Sequence, residues 1–207
     1  MKRKKFNIYI VGDKFVGKSS FARRYSENKF EESYFPSIRL ECFKKDITVL
    51  NQNCSVSLFA LSGNERSGNI RFDRKRKIDA IIFMYDVTSE YSLKSIEYWF
   101  NVVSKKIQDD CPKFLIGTKF DLENERKVKE EEGKKLAGIY KMGYFEVSSK
   151  SGETVNKTME SIIKRLLYSI KRIGTFHNEL EDLDELYESI EGKSCCKGWF
   201  KKMFCCK

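Results

Sequence analysis

Residues 12–19 read Gly12-Asp13-Lys14-Phe15-Val16-Gly17-Lys18-Ser19, directly behind the apolar run Phe6–Val11 and ahead of a helical stretch from Lys18 to Ser26. The spacing is G-x-x-x-x-G-K-[ST]. A strand that ends in a glycine turn and re-enters as a helix aims several backbone N–H groups at one point. Lys18 adds a compact positive charge there, and the Ser19 hydroxyl can ligate Mg²⁺. Gly12, Asp13, Lys14, Phe15, Val16, Gly17, Lys18, Ser19 and Ser20 therefore form a candidate polyphosphate cradle.

Working outward, short apolar runs alternate with helical patterns. Cys42–Leu50 and Ser55–Leu61 read as two strands joined by the turn Asn51-Gln52-Asn53. Ala80–Tyr85 is a continuous apolar run, as expected for a strand covered on both faces. Leu93, Ile96, Phe100, Val103 and Ile107 recur at helical spacing. Phe114–Ile116 is a further short strand. Leu136, Ile139 and Tyr140 mark a helix end, with Gly143 as its stop, and Tyr144–Val147 is the last strand. Val155, Met159, Ile162, Leu166 and Ile170 share one side of a final helix. Repeated β-α alternation predicts a mainly parallel α/β sheet with helices on both faces. Ligands of such sheets bind at the carboxyl ends of the strands, where the glycine turn lies.

The chain has 207 residues, 41% hydrophobic content and only two prolines, enough for one domain and an appendage. No apolar run approaches the roughly 20 residues that span a bilayer. The basic start Met1-Lys2-Arg3-Lys4-Lys5 leads into a short apolar stretch, unlike a secretory signal, so a cytosolic protein with reduced thiols is expected. Of the seven cysteines, four form the adjacent pairs Cys195-Cys196 and Cys205-Cys206. That spacing suits neither zinc nor a disulfide framework. The net charge of +10 sits in separate clusters: the N-terminus, Arg71 to Lys77, and Lys193 to Lys207. An acidic segment, Glu179 to Glu191, interrupts them. No zinc-finger or aromatic RNA-binding motif accompanies the charge, so nucleic acid is not the expected partner. The acidic segment keeps helical spacing at Leu180, Leu183, Tyr187 and Ile190. It is either an amphipathic helix or a solvated tail.

Four further motifs follow in order. They are Tyr34-Phe35-Pro36-Ser37-Ile38, Leu61-Ser62-Gly63-Asn64-Glu65-Arg66, Gly117-Thr118-Lys119-Phe120-Asp121 and Glu146-Val147-Ser148-Ser149-Lys150. With the cradle, they resemble the Ras-superfamily small GTPases over roughly residues 6–172. Phe83-Met84-Tyr85-Asp86-Val87-Thr88 and the terminal cysteine pair make the chain similar to the Rab family. The resemblance implies a single G domain over 6–173 with a six-stranded, mostly parallel sheet. Residues 1–5 would be a basic extension and 174–207 a flexible hypervariable tail.

The resemblance also implies GTP or GDP with Mg²⁺ as ligands. Asp121, as a buried carboxylate, would accept hydrogen bonds from the guanine N1–H and exocyclic amine, a donor pair that adenine lacks. Lys119 and Phe30 would pack on the base and sugar. The Ser149 amide would meet the guanine oxygen, with Ser148 and Lys150 beside it. Gly63 would face the terminal phosphate, and Ser19 and Ser37 would ligate Mg²⁺. Thr118 stands where the family's N-K-x-D motif has asparagine, as in Rho-type members.

Other positions depart from the family. Its D-T-A-G-Q motif is here Ala60-Leu61-Ser62-Gly63-Asn64. Ala60 removes the carboxylate that holds a water on Mg²⁺. Asn64, the candidate catalytic residue, is one methylene shorter than the glutamine that orients the attacking water. Phosphoryl transfer depends on positioning, and a displacement of about 1 Å can cost on the order of 100-fold. Lys14 and Phe15 are bulky where an arginine finger of an activating protein would enter, a group worth roughly 10³–10⁵ in rate. Weak hydrolysis is therefore expected. Alternatively, the Lys14 ammonium sits on the phosphates and replaces part of the missing charge. The aromatic triad of Rab switches becomes Cys42, Phe59 and Lys75, so an unusual effector is expected.

At the end, Cys205 and Cys206 resemble the Rab signal for double geranylgeranylation, and no C-a-a-X box is present. Two chains anchor stably where one does not. Lys193, Lys197, Lys201 and Lys202 would each add about 1 kcal/mol on anionic lipid. The implied partners are a membrane, an exchange factor, an effector, the prenyl-transfer machinery and a GDI-type chaperone. The implied location is the cytoplasmic face of an intracellular membrane, with a cytosolic pool. Two readings remain, a cycling switch and a pseudo-GTPase that holds nucleotide. A P-loop kinase would need neither the Thr118–Asp121 motif nor a lipidated end.

Overall fold

The computed structural model describes residues 3–32, 40–63, 72 and 76–172. Ser37, Asn64, Lys75, the acidic segment and the cysteine pairs lie outside the described residues. Six strands form one sheet: β1 (Lys4–Val11), β2 (Glu41–Val49), β3 (Gln52–Ala60), β4 (Ala80–Asp86), β5 (Lys113–Thr118) and β6 (Gly143–Val147). Their order is β2-β3-β1-β4-β5-β6. Only β2 runs antiparallel to its neighbour. The helices are α1 (Lys18–Glu27), α2 (Glu90–Ser104), α3 (Glu130–Ile139) and α4 (Glu153–Arg172). Residues Met1–Tyr168 form one compact unit. A second unit begins at Ser169 and is described only over the last residues of α4. Among the described residues no helix is long and apolar enough to cross a membrane.

Period-2 alternation assigns the two faces of the sheet. Tyr9, Val11, Phe59, Ile81, Phe83 and Tyr85 join Ile96, Trp99 and Val103 of α2 and Ala137 of α3 in one core. The intervening Ile8, Ile10, Val56 and Leu58 are also buried, as are Phe21, Ala22 and Tyr25 of α1 and Val155, Met159 and Ile162 of α4. Strand β4 is buried at every residue, as its unbroken apolar run predicts.

Local details differ from the sequence expectation in three places. The β2–β3 turn is not Asn51-Gln52-Asn53 but the pair Leu50-Asn51, at φ 50° and 56°, with Val49 opposite Gln52. Two successive left-handed residues match the twist of the hairpin. Helix α2 stops at Ser104, so Ile107 packs on the core from beyond the helix. Gly143 is not the stop of α3. Lys141 takes the left-handed conformation at φ 54°, and Gly143 opens β6, where a Cβ would come within 2.8 Å of the Phe114 ring.

Candidate functional site

The parallel strands deliver their carboxyl ends to one edge of the sheet. β1 delivers residues 12–19, β3 delivers 61–63, β5 delivers 119–121 and β6 delivers 148–150. Gly12, at φ 147°, runs so close to the Met84 carbonyl of β4 that no Cβ fits. Gly17, at φ 88°, turns the chain into α1, and the Phe21 amide closes the first turn on the Gly17 carbonyl at 2.9 Å. No acidic side chain lies in that first turn. The positive end of the helix dipole there favours an anion. Lys18 is buried, and its Nζ donates to the carbonyls of Gly12 at 2.9 Å and Asp13 at 2.6 Å. The loop is folded around its own cation.

Two contacts hold this loop from outside. The Trp99 Nε1–H of α2 donates to Asp13 Oδ1 at 2.9 Å, and both residues are buried. Gly63 lies against the backbone: a Cβ there would sit 2.6 Å from the Asp13 carbonyl carbon and 2.7 Å from Lys14 Cα. The segment after β3 is thus stacked on the cradle, where the family pattern puts a contact to the terminal phosphate. Phe15 holds φ 65°, a conformation that costs a residue with a Cβ roughly 1–2 kcal/mol. It is 57% exposed.

Several of the residues expected to meet a base are fixed by long-range bonds. Thr118 Oγ1 lies 2.7 Å from the Val16 carbonyl and 2.9 Å from that of Tyr85. Its hydroxyl ties residues 12–19 to β4 and β5. Lys119, at φ 61°, places Nζ 2.6 Å from Asp86 Oδ2. The Asp86 Oδ1 accepts from the Thr88 amide and hydroxyl at 2.9 and 2.8 Å. Asp121 is exposed rather than buried as its selectivity argument assumed. A base bound there would have to supply that burial. Ser148 and Ser149 are buried, and Ser148 Oγ accepts from the Ser151 amide at 3.1 Å.

Arg24 of α1 joins three segments. Its Nε–H donates to the Ser149 carbonyl at 2.7 Å, Nη2 to the Lys150 carbonyl at 2.9 Å and Nη1 to the Asn28 carbonyl at 3.0 Å. Its guanidinium also lies 5.9 Å from the centre of the Phe30 ring. Lys150 Nζ pairs with Glu32 Oε1 at 3.1 Å on the exposed rim. Beneath the 148–150 loop, Arg126 grips Glu146 through Nη1 and Nη2 at 3.0 and 2.7 Å. Tyr144 donates to Glu146 Oε1 at 2.7 Å, and the Tyr85 and Tyr144 hydroxyls meet at 2.9 Å. Burial, above all, raises both tyrosine pKa values, whereas the hydrogen bond to Glu146 raises that of Arg126.

The structure thus brings residues 12–20, Phe30, Gly63, Thr118, Lys119, Asp121 and Ser148–Lys150 to one edge. Sequence reasoning missed Arg24 and Trp99 altogether, and it quoted Asp86 without a role. Ala60 is 1% exposed at the end of β3 and brings no carboxylate. Phe59, a position of the family's aromatic triad, is buried. It stacks on Tyr9 at 4.7 Å, with the Arg76 guanidinium 5.2 Å above its ring.

A Ras family sequence profile matches residues 7–168. Rab-1 of Theileria parva is 33% identical over 78% of this chain and 74% of its own length. Rab-13 of Canis lupus familiaris is 28% identical over 83% of this chain and 86% of its own length. The human EF-hand calcium-binding domain-containing protein 4B is 31% identical over 92% of this chain, which spans 25% of that longer protein. The class defined by the sheet, the cradle and the base loops is that of guanine-nucleotide-binding domains. Within it, the chain belongs to the Ras family as a Rab-like small GTPase.

Proposed function

We propose that this chain is a membrane-anchored GTP-binding switch of vesicle trafficking that hydrolyses GTP slowly. The observation that carries the reading is the contrast between the two halves of the edge. On the binding side, Lys18 is held by carbonyls of its own loop, and Thr118, Arg24 and the Ser148–Lys150 loop are locked in place by bonds between distant segments. On the hydrolytic side, Ala60 offers no acidic group, and Phe15 fills the approach to the loop.

Residues 12–20 bind the phosphates through backbone N–H groups and Lys18. Asp121 reads the base edge, Phe30 and the Lys119 stem flank it, and Ser149 contacts its oxygen. The donor set also suits Mg²⁺, with Ser19 and Ser37 as oxygen ligands and a buried acidic oxygen without a partner, Glu41 Oε2, on the same edge. When bound, Mg²⁺ would offset the negative charge of the phosphates. Asn64 positions the attacking water weakly because of its shorter reach. Lys14 sits beside the terminal phosphate.

Geranylgeranyl groups on Cys205 and Cys206, with the basic tail, anchor the protein to the cytoplasmic face of an intracellular membrane. Prenyl-transfer machinery, a GDI-type chaperone and an exchange factor are the partners this cycle needs. Arg76 and Lys77, exposed beside a buried Phe59, suit an effector with an acidic face. The pseudo-GTPase reading is favoured by one observation, the strained and exposed Phe15 at the mouth of the loop.

Single-turnover hydrolysis of bound GTP tests the proposal. A rate well below that of an ordinary Ras protein, with GTP or GDP found in the purified protein, supports it. An ordinary rate refutes the slow-hydrolysis part, and no bound nucleotide refutes the switch. The double variant Cys205→Ser/Cys206→Ser should be released to the cytosol, and membrane retention would refute the anchor.

A further inference from the structure

Strand β2 alternates strictly. Glu41, Phe43, Lys45 and Ile47 are half-buried, while Cys42, Lys44, Asp46 and Thr48 are exposed. Glu41 pairs directly with Ala60 across the antiparallel β2–β3 ladder. Directly opposed residues share a face, with Cβ atoms about 4.5–5.5 Å apart. That face belongs to α1. Further along β2, Lys45 Nζ donates to the Tyr25 carbonyl near the end of α1 at 2.8 Å. Helix α1 begins at Lys18, so its first turn, with Ser19, lies toward the Glu41–Ala60 end of the hairpin. One carboxylate oxygen of Glu41, Oε2, is buried and has no hydrogen-bond partner. A buried acidic oxygen without a donor is a costly exception that calls for a ligand.

We propose that Glu41 supplies the acidic oxygen of the Mg²⁺ shell that Ala60 cannot. In P-loop proteins the metal is held by the loop Ser/Thr together with an acidic residue from a neighbouring strand. Mg²⁺ keeps several of its waters and binds few carboxylates. Here the acid stands on the facing strand, and glutamate has one methylene more than aspartate with which to reach across from β2. Its free oxygen accepts hydrogen bonds from the metal's water shell, beside the Ser19 hydroxyl. The assignment rests on the guanine-nucleotide reading above and adds to it a residue that no motif contains.

The test uses full-length protein loaded with N-methylanthraniloyl-GDP, with release followed by fluorescence across buffered free Mg²⁺. Glu41→Gln keeps shape and removes charge. It should move the Mg²⁺ midpoint for nucleotide retention about 10–100-fold higher, the usual effect of losing an outer-shell partner. Adding Ala60→Asp to Glu41→Gln should bring the midpoint back to within a few-fold of wild type. In EDTA the thermal midpoint of Glu41→Gln should equal or exceed that of wild type, because a buried charge has been removed. A structural role for Glu41 would lower it. A Glu41→Gln midpoint within about threefold of a Mg²⁺-dependent wild type overturns the assignment and leaves nucleotide binding intact. A wild type that retains no labelled GDP at any Mg²⁺ concentration overturns the nucleotide reading, and this assignment with it.

Discussion

Replacing Trp99 with phenylalanine tests how the cradle is held. The indole N–H donates to Asp13 Oδ1 at 2.9 Å, and both groups are almost free of solvent. A buried hydrogen bond to a charged acceptor contributes about 1.5–3 kcal/mol. The smaller ring leaves a partial void in the core that Trp99 shares with Val11 and Ile96, worth about 1 kcal/mol more. Trp99→Phe should therefore destabilise the protein by about 3 kcal/mol. In an Asp13→Ala background the indole has no acceptor, and the same replacement should cost about 1 kcal/mol or less. The difference is a coupling energy of about 2 kcal/mol. Urea unfolding of the four proteins at fixed GDP and Mg²⁺ measures it. The Asp13 carbonyl also receives the Lys18 ammonium, so Trp99→Phe should release GDP faster as well. A coupling under about 0.5 kcal/mol, within the scatter of additivity, would refute the idea that α2 braces the cradle through this bond.

Three further outcomes follow from the same geometry. Thr118→Val, which removes the hydroxyl shared by the Val16 and Tyr85 carbonyls, should cost about 1–3 kcal/mol in urea unfolding and speed GDP release. Arg126→Leu would leave Glu146, only 15% exposed along its side chain, without its ion partner. The loss should be about 3 kcal/mol by thermal or chemical unfolding, and Glu146→Gln in the same protein should recover part of it. Burial pushes the Cys111 thiol up to about 11, whereas the unfolded thiol ionises near 9. Its contribution is therefore complete below pH 9 and falls as pH rises through 9 to 11. Buried Tyr25, Tyr85 and Tyr144, all raised by burial, add to that alkaline loss. Titration of tyrosine absorbance should show these rings ionising only on unfolding.

The core of the fold was legible because β1, β4 and the cradle are local patterns: an apolar run, a glycine turn, a helix. Their parallel arrangement follows from the β-α alternation. Leu50-Asn51 was not legible as a turn, because leucine carries no signal for a left-handed residue and only the tight hairpin forces it there. The site was readable at its motif residues and unreadable between them. Arg24 bonds to Ser149 across 125 residues and Trp99 to Asp13 across 86, and neither carries a short-range mark. Trp99 also falls on the apolar side of α2, where its bulk conceals the use of its N–H. The exposure of Asp121 was misjudged for a related reason, since its selectivity argument presumes the base that covers it.

Arg24 has a consequence for what the protein will accept. It sits six residues beyond Lys18 on one continuous helix, an axial offset of about 9 Å at 1.5 Å per residue. The phosphate-gathering end of α1 and the carbonyls of the base loop are therefore two marks on the same rigid ruler. On the proposed reading, a nucleotide would have to match both marks together, so that length would be gauged along with base identity. A bare polyphosphate or a nucleoside monophosphate would satisfy only one of them.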